Sequence, residues 1–206
     1  MIKFSKPKIK ILKKLDLINK SLIKTSKLDY KNKEIFINKN RNNRSFISND
    51  YKERLIEKQK LRTYFCLSEK QLYNYIKKIK TKKYFNKLSL IELINCRLDS
   101  ILFHLGFSKS ISESKQFINH GHKLLNNKIV NFSNTICKKN DLISIKKNSV
   151  ITNLINTNIE LKKNYHIKNL YLDVDNLVGK FIAPIKSEDL LIKFNESKII
   201  EYYSNK

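Results

Sequence analysis

Apolar and polar residues change rhythm twice along this chain. Through residue 50 the apolar positions are scattered without a period, and the stretch from Asn38 to Arg44 is almost wholly basic or amide. A segment of that kind has too little apolar surface to fold alone. From Asp50 onward a 3.6-residue period sets in. Residues Lys52 to about Phe65 form one helix, with Leu61, Tyr64 and Phe65 on one side. Three Ser-x-x-Glu/Gln boxes then mark helix starts: Ser68 with Gln71, Ser89 with Glu92, and Ser110 with Glu113. After the first, Leu72, Tyr75, Ile76 and Ile79 fall at i, i+3, i+4 and i+7, a single core-facing stripe. After the second, Leu90, Leu93, Ile94, Leu98, Ile101, Leu102 and Leu105 keep one face through a break near Arg97 to Asp99, and Gly106 supplies the stop. The third helix runs from Ile111 to about His120 and ends at Gly121, a residue that can take the left-handed conformation of a helix C-terminus.

Beyond Gly121 the pattern shortens to strands. Lys123 to Leu125 and Ile129 to Val130 are joined by Asn126-Asn127, and Leu142 to Lys146 follows the turn Asn140-Asp141. Asn accepts the positive φ of a tight hairpin less readily than Gly, so this turn is serviceable and slightly strained. A second strand-rich stretch spans Tyr171 to Ile192, and a short helix, Asn195 to Tyr203, closes the pattern. Helices and a small sheet in separate runs make the fold class α+β.

Charge adds what the pattern cannot. The 206 residues carry 43 Lys and Arg against 18 Asp and Glu, a formal net charge of +25, while 41% of them are hydrophobic. There is enough apolar material for real cores, and there is an excess of cations that a polyanion would neutralise. Nucleic acid is the usual one, because each phosphate contact releases condensed counterions. The excess is uneven: residues 1–50 carry 14 cations and 4 acids, whereas residues 170–206 carry 5 and 6. The first segment reads as an arm that orders on RNA, with Lys6, Lys8, Lys10, Arg41 and Arg44 among its contacts, and the last as a part turned away from phosphate. No apolar run approaches the ~18 to 20 residues needed to span a bilayer, so no membrane partner is expected. No secretory signal is expected either, since the basic beginning lacks an apolar core segment and holds Asp16 and Asp29.

Candidate chemistry is sparse. Cys66, Cys96 and Cys137 stand far apart with no Cys-x-x-Cys pair, which reads as reduced thiols without a metal. There is no recognisable Ser/His/Asp grouping and no Gly-rich phosphate loop, so neither catalysis nor a cofactor is expected. His104 interrupts an apolar stripe and reads as a packed or surface residue. Phe65, Tyr75, Phe103 and Phe117 read as core. The 52–65 helix carries Arg54, Lys58 and Arg62 at i, i+4 and i+8, a row able to meet successive phosphates, although Glu53 and Glu57 also allow a solvated face. The helix start near Ser110 offers free N–H groups and a positive dipole end, and Lys115, Gln116, Asn119, His120 and His122 extend donors from the same segment.

An ordered series of motifs carries a resemblance. Arg97-Leu-Asp-Ser-Ile-Leu-Phe-His-Leu-Gly-Phe107, the capped Ser110-Ile-Ser-Glu-Ser-Lys-Gln-Phe-Ile-Asn-His-Gly-His122, the hairpin Lys123 to Val130 with Asn126 and Lys128, and Asn140-Asp-Leu-Ile-Ser-Ile145 resemble the S-four-type RNA-binding domain. The flanks, Glu57-Lys-Gln-Lys-Leu-Arg62, Leu67-Ser-Glu-Lys-Gln-Leu72, Leu172-Asp-Val-Asp175, Gly179-Lys180 and Asn195 to Ser204, are similar to the S-four family of small-subunit ribosomal proteins, its plastid members above all. Three positions depart from that pattern: Cys66 stands where the family usually has Gly, Asn126-Asn127 replaces Asn-Gly, and Ile111 stands where many members have Arg.

The resemblance implies an all-helical domain over 46–87 after an arm over 1–45. Into it an S-four-type domain over 88–194, helices on a small mainly antiparallel sheet, is inserted, and a helix over 195–206 returns to the first domain. It implies a binder of small-subunit ribosomal RNA, with Arg97, Asn126 and Lys128 joining the contacts named above, that docks early and helps nucleate assembly. It further implies neighbouring ribosomal proteins, small-subunit protein five especially, and messenger RNA where it enters the subunit. The ribosome of a plastid, an apicoplast included, ranks first as location, ahead of a protist mitochondrion or a bacterial cytoplasm. Two other functions compete: a free-standing S-four-domain RNA chaperone, and an accessory factor of RNA modification. The first would lack the ending from Asn195 to Ser204, and a modifying enzyme would need a catalytic domain.

Overall fold

Two of the three Ser boxes close as the sequence requires, and they set the frame of a computed structural model that describes residues 46–81, 88–146, 151–161, 167–190 and 192–204. Ser68 accepts the amide of Gln71 and Gln71 answers the Ser68 amide; Ser89 and Glu92 do the same. The helices are α1 (Phe46–Tyr64), α2 (Glu69–Lys80), α3 (Leu90–Asn95), α4 (Leu98–His104), α5 (Ile111–Asn119), α6 (Thr152–Leu161) and α7 (Glu196–Ser204). The strands are β1 (Lys123–Leu125), β2 (Lys128–Ile129), β3 (Leu142–Ile145), β4 (Leu170–Asp173) and β5 (Val178–Phe181). The break expected at Arg97 to Asp99 separates α3 from α4.

Three helix ends share one device. Leu67 donates to the Arg62 carbonyl, Phe107 to Leu102 and His122 to Phe117, each a six-to-one bond across a residue at positive φ: Cys66 at 50°, Gly106 at 86° and Gly121 at 70°. The chain therefore reverses sharply between α1 and α2, α4 and α5, and α5 and β1.

The strands form one antiparallel sheet in the order β2-β1-β3-β5-β4. Both hairpin asparagines adopt positive φ, Asn126 at 49° and Asn127 at 64°, and the Asn126 side chain ties the turn to Asp141 and to the Leu142 amide. The strand content of the expected stretch Tyr171 to Ile192 ends at Phe181. Beyond it Pro184 has no amide for a ladder, and the chain leaves the sheet so that Ile185, Leu190 and Ile192 are buried elsewhere. The helix α6 has no counterpart in the sequence reading.

Two cores result. Leu61, Phe65, Leu72, Tyr75, Ile76, Leu90, Leu93, Ile94, Ile185, Ile199, Tyr202 and Tyr203 unite α1, α2, α3 and α7. Leu98, Ile101, Leu102, Phe107, Phe117, Ile118, Ile143, Ile155, Ile159 and Phe181 unite α4, α5, α6 and the inner face of the sheet. Phe103 turns from α4 into the first core and so couples them. Phe65, Tyr75, Phe103 and Phe117 are all buried, and His104 is buried beside Phe103. Among the described residues no helix is long and apolar enough to cross a membrane.

Candidate nucleic-acid interface

The cation row of α1 is placed differently from expectation. Arg54 Nε lies 3.2 Å from Glu201 of α7. Lys58 Nζ lies 3.0 Å from Glu69 of α2 and 4.2 Å from the centre of the Tyr202 ring, and the residue is only 5% exposed. Arg62 donates to the Leu67 carbonyl at 3.2 Å and meets Glu69 at 3.3 Å. Glu69 also accepts the Tyr203 hydroxyl at 2.7 Å. Burial opposes the Glu69 charge, and Tyr203, Lys58 and Arg62 outweigh it, holding this carboxyl below its ordinary range. The row Arg54, Lys58 and Arg62 thus binds α1 to α2 and α7. Lys58 is withdrawn from any phosphate, whereas Arg54 and Arg62 stay partly exposed beside the carboxylates of α7 and α2.

Arg97 corrects a second expectation. It is 1% exposed, and its guanidinium grips Asp99 through two bonds of 3.0 and 2.6 Å, with Tyr75 Oη 3.4 Å away. Burial opposes the charge, and the paired hydrogen bonds and field of Asp99 outweigh it, so Arg97 stays firmly ionised. Lys115 completes the group from α5: its ammonium donates to the Phe65 carbonyl at 3.4 Å and to that of Cys66, and lies 3.7 Å from Asp99. The Arg-Leu-Asp motif and Lys115 therefore cross-link the α1–α2 corner to α4 and α5 from within.

The start of α5 is occupied too. Ser110 accepts the Glu113 amide, but Glu113 turns its carboxylate to the Lys109 amide instead of closing a reciprocal box with Ser110. A carboxylate beside this helix start disfavours phosphate there, and Ser110 already accepts the Glu113 amide.

Other expected contacts do lie at the surface. Gln116, Asn119, His120 and Lys128 are exposed, and His122 is half-buried. The His120 and His122 rings stand nearly parallel, 6° apart in plane and 6.1 Å between centres, on either side of Gly121. A Cβ at Gly121 would lie 3.4 Å from Asn131 Oδ1, so this turn abuts the residues after β2. Asn126 is exposed, with its amide committed to the hairpin. Lys6, Lys8, Lys10, Arg41 and Arg44 lie outside the described residues. One exposed set escaped the sequence reading: Lys70, Lys77, Lys78 and Lys80 on the outer side of α2. Its signal was present, since these positions are the complement of the apolar stripe.

The S4 domain family matches residues 96–143, from the residue before the Arg-Leu-Asp turn into β3. The chain is 38% identical to small ribosomal subunit protein uS4c of Euglena longa across 100% of both chains. It is 40% identical to uS4c of Euglena gracilis over 76% of this chain and 77% of that one. Small ribosomal subunit protein uS4 of Prochlorococcus marinus (strain MIT 9312) is 38% identical over 76% of this chain and 78% of its own.

Proposed function

Because the chain belongs to the uS4 family of small ribosomal subunit proteins, we propose that it is a structural, non-catalytic component of the small ribosomal subunit that binds small-subunit ribosomal RNA. The observation that carries this is end-to-end similarity to a uS4c protein, together with a net charge of +25. The charge supplies the general attraction to RNA, and two cores bridged by α4 through Phe103 supply a shape that can meet a folded RNA surface.

The finer reading rests on the same similarity. The ribosome is of plastid or bacterial type, and a plastid, including a non-photosynthetic one, fits the likeness to two uS4c proteins. The chain docks early on the RNA, helps nucleate assembly, and adjoins other ribosomal proteins, small-subunit protein five among them, near the path by which messenger RNA enters. The S-four-type unit extends beyond the matched residues 96–143 to about 194, since β4 and β5 complete the sheet of β3. Its RNA contacts include Gln116, Asn119, His120, His122 and Lys128, with the arm cations Lys6, Lys8, Lys10, Arg41 and Arg44.

The test is competition binding of the purified full chain to plastid-type small-subunit RNA against large-subunit RNA of the same ribosome. Preference for small-subunit RNA that persists at about 0.3 M salt is expected, with a log–log salt slope steeper than about −4. Equal binding to both RNAs would remove the ribosomal assignment.

A further inference from the structure

Helix α2 sorts its charges by side. Leu72, Tyr75 and Ile76 face the first core, and Glu69, its one acid, is engaged by Lys58, Arg62 and Tyr203. The opposite side carries Lys70, Tyr73, Asn74, Lys77, Lys78 and Lys80, all exposed. Among the described residues none of these four lysines pairs with a carboxylate, whereas α1 places Arg54, Lys58, Lys60 and Arg62 beside Glu201, Glu69 and Glu57. Lys70 and Lys77 are two turns apart, about 10.5 Å along the axis, and Lys80 lies about 15 Å from Lys70. At about 100° per residue Lys70 and Lys77 lie nearly in line along the outer side, with Lys78 and Lys80 on its two flanks.

Two simpler accounts fall short. The helix dipole explains cations in the last turn, where Lys77, Lys78 and Lys80 lie, but it disfavours one in the first, where Lys70 lies. A protein partner is a poor match, because lysine is depleted from protein interfaces. Resting on the ribosomal reading above, we propose that the outer side of α2 lies along the sugar–phosphate backbone of small-subunit ribosomal RNA. Lys70, Lys77, Lys78 and Lys80 meet phosphates. Asn74 presents an amide able to bond a ribose 2′-hydroxyl, and Tyr73, packed 6.0 Å from Tyr203, presents a flat ring beside them. The contact adds salt-sensitive affinity without sequence preference, from a helix outside the matched S4 domain.

The test uses the full chain in three forms: unaltered, with K70Q/K77Q/K78Q/K80Q, and with K138Q/K139Q/K168Q/K186Q, which removes the same charge from exposed sites elsewhere. Glutamine has nearly the helix propensity of lysine, so melting temperatures should agree. Against small-subunit RNA, the α2 form should bind at least tenfold more weakly and show a salt slope shallower by about 3, and the control form a slope shallower by less than about 1. Equal losses in the two forms would reduce the effect to bulk charge and overturn the proposal, as would an unchanged α2 form or one that melts early. If the unaltered chain prefers small-subunit RNA while the α2 form binds as well, only this surface is wrong. If the unaltered chain has no preference, the ribosomal reading falls first.

Discussion

Lys123 opens β1 and is fully buried, its ammonium 4.5 Å from the centre of the Phe107 ring and 5.6 Å from that of Phe117. The rings favour the cation, but desolvation dominates and pushes its pKa down to about 7. The unfolded lysine titrates near ~10.4. Between about pH 7 and about 10.4 the unfolded chain therefore holds a proton that the folded chain lacks, and this residue's contribution to stability rises with pH; below 7 both states are charged and the burial penalty is present in full. Lys123→Met should stabilise the fold by about 2 kcal/mol at pH 6, with the gain shrinking as pH climbs to 10. Urea unfolding of both forms across that range checks it, and a gain independent of pH would refute the titration. Nothing in the sequence warned of this, since a lysine after His-Gly-His reads as one more solvated cation. Arg97 was misread for the same reason: a motif names the residue type and not the direction in which it points. Arg97→Met should cost about 3 to 5 kcal/mol, because it leaves the buried Asp99 carboxylate with only the more distant Lys115 as counter-charge beside the Ser100 amide. The double change with Asp99→Asn should recover part of that in an unfolding cycle, whereas additive losses would mean the two side chains do not act as a pair. Cys66 shows the legible side. It stands where the family usually has Gly, and the backbone there is at positive φ, so the helix-ending bonds of its neighbours hold a conformation that its own Cβ disfavours.

Helices with a local start signal were readable one by one, because a capping box and a 3.6-residue stripe are both written within a dozen residues. Helix α6 has no capping box, and its turn-prone Asn153, Asn156 and Asn158 favour other conformations; Ile155 and Ile159 anchor it in the second core. The pairing of β3 with β5 joins Ile143 to Gly179 across 36 residues, which no local pattern encodes. Helix α7 was visible as a short amphipathic segment, but its side-chain consequences were not: Glu201 pairs with Arg54, and Tyr202 and Tyr203 cover Lys58. Its weight can be measured. Deleting residues 195–206 removes Ile199, Tyr202 and Tyr203 from the first core and the Glu201 and Tyr203 contacts to Arg54 and Glu69. Loss of two or three large buried side chains should cost roughly 3 kcal/mol or more. Thermal unfolding of the truncated chain decides this, and a melting temperature equal to that of the intact chain would detach α7 from the fold.

Across the whole chain, cations and apolar periodicity are distributed differently. Residues 1–40 contain 12 lysines against 3 acids, and apolar positions there have no period, so charge is what this stretch contributes on any reading of the sequence. Among the described residues, the two cores are built from side chains between Leu61 and Tyr203. Removing residues 1–40 should therefore leave the melting temperature nearly unchanged and lower RNA affinity, and the remaining binding should depend less steeply on salt because fewer counterions are released. The α7 truncation should behave in the opposite order, with stability failing before affinity. Measuring thermal unfolding and RNA binding on both truncations separates the roles: an arm deletion that binds RNA as well as the intact chain, at the same salt slope, would show that the folded surfaces, α2's lysines among them, already supply the whole electrostatic contact.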